Sequence, residues 1–463
     1  MASVFQSELQ TLVNEAAASS GAIGAQVSVI VGANRFDCVH GSANIELGVP
    51  MTVDTVVQIG SVTKLFNAAI VMTLVDEKKL TLETPVASYI PNLRLSDSHA
   101  TETITLQHLL SMSSGLDNGA YAESDGGGDA LERHIGSLRD IPQAFAPGEG
   151  FGYSNAGTSI AGYAAQLVAG RSWDTLLRER ILEPAGLNHA VSLAQDLPFQ
   201  RVSAGHTPAR LGVAATVIRP WYLTQAQGPA GSTLAMSARD LASFGQLFIN
   251  AGKTAANVSV LPRTAVEAMT TAIVDVPTKS FADAWGLGPD ITRCDGGLVL
   301  GHQGSNQSGC SLLKWFPDKQ GVLAITVNTP AAANDFRVQI AKRFSAAVFN
   351  VEYRTLVVPE APLAIDKPDR FVGTFVAHGM VYEVSAHERR LFFRAINLGR
   401  GKPGDVPGIT ADSELVALGD ERFAFKLSDG DALEEVAFFG RDEQGRATAL
   451  VAPLFPAHRA IRA

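Results

Sequence analysis

Apolar residues run almost unbroken from Leu65 to Val75 (LFNAAIVMTLV). A segment apolar nearly all round predicts a helix through the core rather than on the surface, and the cations Lys78 and Lys79 suit its negative end. The first twenty residues alternate with helical period and carry acidic side chains, which predicts an amphipathic helix. Ala25–Gly32 and Phe36–Gly41 read as a hairpin turning near Ala33-Asn34. Helical patterns follow over Ile104–Leu116, Thr158–Ala169 and Trp173–Ile181, with a Gly-, Asp- and Ser-rich surface loop over 117–129 and weak patterning on to Gln227. Ser237 is placed to cap a helix over ARDLASFGQLFIN. Strands return as GLVLGHQG from Gly297, CSLLKWF from Cys310 and, after a turn at Pro317–Gly321, GVLAITVN. A last helix is expected over Asn334–Phe349. Strands at both ends with helices between imply a mixed sheet that joins distant segments.

Beyond Phe349 the pattern changes. Val351–Pro368 bears prolines and reads as a linker, and from Asp369 short alternating strands recur with turns such as Ser428–Gly430. That rhythm predicts a small antiparallel β-barrel or sandwich. The expected domains are therefore 1–350, a linker 351–368, and 369–463. With 463 residues, two domains fit the length; 46% hydrophobic against 18% charged residues supports a sizeable core and excludes wholesale disorder.

Net charge of −9 without a basic patch gives no support for nucleic-acid binding. Cys38, Cys294 and Cys310 form no C-x-x-C and read as core thiols, although one buried pair stays open. The amino-terminal stretch lacks the basic and apolar regions of a signal peptide, and no run of eighteen apolar residues occurs, so a cytoplasmic location without membrane insertion is the expectation.

Ser61 stands three residues before Lys64 at the head of the core helix, so the two side chains share a face. A serine needs a base to become a nucleophile, and a buried lysine, its ammonium form penalised, can be one. A serine near a helix start is also an ordinary N-cap, and S-x-x-K alone does not decide between the readings. Tyr153-Ser154-Asn155 precedes another helix: Tyr153 could exchange a proton with Lys64, Asn155 could orient the lysine or a substrate carbonyl, and a plain Ser-Asn cap is the bland alternative. His302-Gln303-Gly304 ends a strand, where glycine admits substrate close to the backbone and an N–H can face an oxyanion; a lone histidine is otherwise an ordinary polar residue.

Taken together, Gly60–Lys64 (GSVTK), Tyr153–Asn155 (YSN) and His302–Gly304 (HQG), with ITLQHLLSMSSGL between the first two and PAGSTLAMSARDLASFG before the third, resemble the serine β-lactamase-like superfamily. That group holds class C β-lactamases, DD-peptidases, class VIII esterases, D-aminopeptidases and related acyltransferases. The resemblance spans about residues 20 to 350 and implies an α/β fold, a sheet packed beside an all-helical region, with the active site at their junction. It implies Ser61 as nucleophile, Lys64 as base or proton shuttle, Tyr153 as acid/base partner and Asn155 lining the site. The oxyanion hole would be the N–H groups of Ser61 and Ser305, and no metal or organic cofactor is needed. The tail, through its strand rhythm and Phe371–Phe375 (FVGTF), resembles the lipocalin-like β domains appended to some members.

Penicillin-hydrolysing members usually carry Lys-Thr-Gly where this chain has His-Gln-Gly. Glutamine for threonine removes a hydroxyl that helps receive a substrate carboxylate, so Gln303 is expected to disfavour carboxylate-bearing substrates. The expected activity is hydrolysis of a small-molecule ester or amide through a Ser61 acyl-enzyme. An acyltransferase, a D-stereospecific peptidase or β-lactamase, and a non-catalytic binding protein on this fold remain open, as does a homo-oligomer.

Overall fold

A computed structural model describes residues 2–119, 127–208, 213–219, 221, 224–359, 363–399, 407–426 and 433–460. Helices α1 (Ala2–Ser20) and α2 (Thr63–Asp76) lead the chain, followed by α3 (Ser98–Thr103), α4 (Leu106–Leu110), α5 (Ala130–Ser137), α6 (Asn155–Ala169), α7 (Trp173–Leu177), α8 (Glu183–Ala185), α9 (Ala238–Ile249), α10 (Arg263–Thr270) and α11 (Pro330–Phe344). One sheet joins β1 (Gly24–Val31), β2 (Asn34–Asn44) and β3 (Val49–Pro50) to strands from the far end: β7 (Val274–Asp275), β8 (Ala284–Trp285), β9 (Asp290–Cys294), β10 (Gly297–Ser305), β11 (Cys310–Phe316) and β12 (Gly321–Val327). Its order is β3-β2-β1-β12-β11-β10-β9-β8-β7. The expected joining of distant segments lies at β1–β12, where Ala25 faces Val327. The described pairings of this sheet are antiparallel, which corrects the expected mixed strand direction while the joining of distant segments stands. A short second sheet orders β4 (Val57–Gln58), β6 (Ala235–Met236) and β5 (Ala190–Val191).

The large sheet buries both faces. Leu300, Leu313 and Trp315 point into one core with α2 and the helical region, while Val299, Leu312 and Phe316 point into another with α1 and α11. Helix α2 is buried at twelve successive positions from Thr63 to Leu74, the central core helix expected of its unbroken apolar run. The Ser237 cap is present, its side chain accepting from the Asp240 N–H.

Several helix bounds differ from expectation. Ile104–Leu116 shortens to α4, because Met112 takes φ 59°, outside the right-handed helical region. The Trp173 helix passes through a wide π turn at Arg178–Leu182, and the last helix starts at Pro330, ends at Phe344 and adds a π turn at Ser345–Phe349. Most of the expected loop 117–129 and the Ser428–Gly430 turn lie outside the described residues.

The tail is a closed antiparallel barrel. Strands β13 (Gly373–Ala377), β14 (Met380–His387), β15 (Arg390–Asn397), β17 (Ser413–Gly419), β18 (Arg422–Lys426), β19 (Leu433–Phe439), β20 (Ala449–Ala452) and β21 (Phe455–Arg459) form it, the β14–β15 pairing closes it, and β16 (Gly408–Ile409) hangs on β15. It has its own core, including Phe371, Phe375, Leu391, Phe423 and Leu450. The preceding body reaches slightly past residue 350, since Val351 is buried in the α1/α11 core and the Glu352 N–H bonds the Asp295 carbonyl at 2.9 Å. The two parts meet in a further apolar cluster that combines Met112, Phe151, Tyr153 and Trp285 with Val451 and Leu454 of the barrel.

Candidate active site

Ser61 lies in the 3-10 turn Gly60–Val62 that feeds α2, rather than capping it through its side chain. Three glycines let this turn sit against two other backbones. Gly60 has φ 55°, and a Cβ there would stand 2.6 Å from the Ser305 nitrogen. A Cβ on Gly304 would lie 1.9 Å from the Ile59 carbonyl oxygen and 2.8 Å from the Ser61 nitrogen, and one on Gly231, φ 118°, would lie 2.4 Å from the Gly60 oxygen. The end of β10 and the 230–231 segment thus press directly on the serine turn.

Lys64 follows one turn later, with 1% of its surface exposed. Its Nζ stands 3.1 Å from Ser61 Oγ, 2.6 Å from Asn155 Oδ1 and 2.6 Å from the Ala230 carbonyl oxygen. Burial pushes its pKa well below the ordinary lysine value, and no carboxylate counters that shift. Two of the three partners are oxygens that can only accept. A neutral amine satisfies them with its two N–H bonds, which leaves the lone pair for the hydroxyl of Ser61. This geometry allows Lys64 to take the serine proton.

Tyr153 is 5% exposed, and Lys64 Nζ lies 4.8 Å from the centroid of its ring. Trp285, His302 and Phe455 surround the ring at centroid distances of 5.9, 6.0 and 5.8 Å. Ser154 fulfils the capping alternative by accepting from the Gly157 N–H at 2.9 Å, and the same cap starts α6 with Asn155 aimed at Lys64.

His302 is buried on the α2 side of β10. Its Nδ1 meets the Gln303 carbonyl at 2.6 Å; a carbonyl only accepts, so Nδ1 carries the proton and Nε2 offers a lone pair that is buried and unpartnered. Burial first, and the neighbouring Lys64 charge second, push its pKa down to about 3, so the ring is neutral at ordinary pH. Gln303 is not brought into this group. It pairs with Leu312 of the α1/α11 face, whereas His302 pairs with Leu313 of the opposite face, so the carboxylate-screening role expected of its side chain draws no support from its placement. Ser305 is exposed at the strand end.

Other contributors were not legible in the motifs. The Ala230 carbonyl holds Lys64, and the Asn118 Oδ1 accepts from the Asn155 N–H at 3.0 Å. Arg337 of α11, largely buried, donates to the Gly304 and Ser311 carbonyls at 2.8 and 3.0 Å. Carbonyl and N–H of a trans peptide point opposite ways, so holding the Gly304 oxygen turns the Ser305 N–H away from Arg337. Among the described residues no group of three or more His, Cys, Asp or Glu is placed to hold a metal ion. Cys38, Cys294 and Cys310 are free thiols.

The family model described as Beta-lactamase matches residues 9–348, nearly three-quarters of the chain. The chain belongs to the Beta-lactamase family. Within that family it is a serine hydrolase, and it is 29% identical over 360 residues to "Penicillin-binding protein 4" of Amycolatopsis lactamdurans, covering 77% of this chain and 93% of that one. Among solved structures it is similar to SurE, known alone and with D-Leu (TM-scores 0.82 and 0.77, each 25% identical); the SurE-alone match covers 99% of this chain and 100% of the other. The octameric penicillin-binding protein homologue from Pyrococcus abyssi shares the fold (TM-score 0.64, 22% identity, 97% of this chain and 99% of that one). Among the described residues no helix is long and apolar enough to cross a membrane.

Proposed function

We propose that this serine hydrolase cleaves a small ester or amide through an acyl-enzyme on Ser61, with Lys64 as the base. The observation that carries the reading is the lysine amine, stripped of water and held by two acceptor-only oxygens with its remaining valence toward Ser61 Oγ. Lys64 accepts the hydroxyl proton as the serine oxygen attacks the carbonyl carbon. The tetrahedral oxyanion is received by the Ser61 and Ser305 N–H groups, and the crowding at Gly60 and Gly304 supports that placement. Tyr153, beside Lys64 and the free lone pair of His302, returns the proton to the leaving group; collapse releases it and leaves the acyl ester on Ser61. Asn155 fixes the lysine. Water, or an alcohol or amine if the enzyme is a transferase, then takes the acyl group by the reverse proton path.

SurE is known with D-Leu and matches nearly the whole chain, which favours a second, narrower reading: the acyl group belongs to a D-amino acid. The test is incubation with a fluorophosphonate and peptide mapping, followed by kcat/KM for p-nitrophenyl butyrate, nitrocefin, and D- and L-leucine p-nitroanilide, with and without hydroxylamine. Labelled Ser61 and faster turnover of neutral esters than of nitrocefin support the first reading, and D over L preference the second. An inert, unlabelled protein contradicts both and favours a binding role.

A further inference from the structure

The barrel reaches the catalytic segment through two of its turns. The Tyr153 N–H donates to the Leu454 carbonyl, in the turn between β20 and β21, at 3.0 Å. On the other side the His378 N–H, in the turn between β13 and β14, donates to Asp117 Oδ2 at 2.7 Å. Asp117 is 2% exposed and its second oxygen accepts from the Gly119 N–H at 3.1 Å, which shapes the 117–119 turn. That turn is the cradle of the catalytic segment: the Asp117 carbonyl accepts from Ser154 Oγ at 2.9 Å, Asn118 Oδ1 from the Asn155 N–H at 3.0 Å, and the Asn118 carbonyl from the Ala156 N–H at 3.2 Å.

We propose that the barrel is a positioning part of the active site, its His378 and Leu454 turns clamping the Tyr153–Asn155 segment so that Tyr153 and Asn155 meet Lys64. The inference rests on the Ser61–Lys64 reading above. Without the clamp, nothing barrel-borne holds the Tyr153 amide, and the Asp117 carboxylate of the cradle loses one of its two N–H donors. Catalytic groups displaced by about 1 Å lose on the order of 10²-fold in rate, so the clamp acts on kcat more than on ground-state binding.

The turn offers a clean test. His378 precedes Gly379, which has φ 79°, between the paired residues Ala377 and Met380; His378 itself has no positive φ. This is the arrangement of a type II turn, in which proline is favoured at the His378 position, and Ala377 is extended as a residue before proline should be. His378→Pro therefore removes the N–H while keeping the turn, and His378→Ala keeps the N–H while removing the ring. The expected result on the full chain is a fall in kcat for p-nitrophenyl butyrate of about tenfold or more in His378→Pro with KM within about threefold, and a far smaller fall in His378→Ala. If His378→Pro does not fold, Asp117→Asn decides: an amide can accept from only one of the two N–H groups, and the same kcat-selective loss is expected. Unchanged kcat in a folded His378→Pro, or in Asp117→Asn where the proline variant does not fold, overturns the clamp. Fluorophosphonate labelling of the unaltered enzyme runs in parallel. Failure to label Ser61 overturns the serine reading itself, and the clamp's catalytic role with it.

Discussion

Adding one methyl group at Gly304 should remove most of the activity, and the structure says why. Gly304 has an ordinary negative φ, so alanine there carries no backbone penalty and the effect is purely one of space. The new Cβ would lie 1.9 Å from the Ile59 oxygen, 3.0 Å from the Ile59 carbonyl carbon and 2.8 Å from the Ser61 nitrogen, all backbone atoms that no rotamer change can move aside. Carbon and oxygen rest no closer than about 3.3 Å, so β10 and the serine turn must part by more than about 1 Å. That displacement carries the Ser305 N–H away from the Ser61 N–H, its partner in the proposed oxyanion hole. Loss of one oxyanion donor costs about 10²–10³ in kcat, or roughly 3–4 kcal/mol of transition-state stabilisation. The overpacking itself should cost about 1–3 kcal/mol of stability, visible as a lowered Tm. The assay is kcat and KM for p-nitrophenyl butyrate with Tm measured on the same samples. The expected result is a folded protein with KM little changed and kcat down by about two orders of magnitude. A Gly304→Ala protein with kcat within about threefold of the unaltered enzyme would refute the oxyanion placement.

Four further outcomes follow from the same geometry. Ser61→Ala and Lys64→Met should each abolish turnover, and the double variant should be little worse than either, because the pair acts as a unit; additive losses in that cycle count against the assignment. For pH, kcat/KM should rise as pH passes through the lowered Lys64 pKa and the amine becomes a free base, whereas a flat profile with chemistry rate-limiting contradicts a lysine base. Stability has the matching sign: between the lowered folded pKa and about 10.4 the unfolded chain binds the extra proton, so the Tm of the unaltered enzyme should gain on that of Lys64→Met with rising pH and level off above about 10.4. His302, held down to about 3, should add no titration step near neutrality, and a limb near pH 6.5 that disappears in His302→Asn would contradict its neutral assignment.

What the sequence carried was local. Ser61 and Lys64 are one helical turn apart, so their meeting follows from helix geometry, and the apolar run after them announces a core helix. Strands β10 to β12 were visible because each is a short apolar run between turn residues, and the barrel because its strands alternate. What was hidden depends on chain segments brought from far away or on backbone groups that no side-chain pattern encodes. The Ala230 carbonyl against Lys64 is one such group, and the Leu454 carbonyl against Tyr153 is another. Arg337 belongs to no motif, and only the packing of α11 against β11 and β12 brings it to the two carbonyls that it holds. Gln303 shows the limit of motif reading: its neighbours in sequence face the serine turn, and the ladder register turns its own side chain the other way.

The central claim is a covalent acyl group on Ser61 made possible by the Lys64 amine. The most direct measurement is rapid acid quench of the enzyme with p-nitrophenyl butyrate during the first turnover, followed by peptide mass spectrometry. The account predicts a butyryl group on the peptide bearing Ser61, forming with the burst of p-nitrophenol and absent in Lys64→Met. A full burst with the acyl group on another residue, or steady turnover with no acylated peptide when deacylation is the slow step, would contradict it.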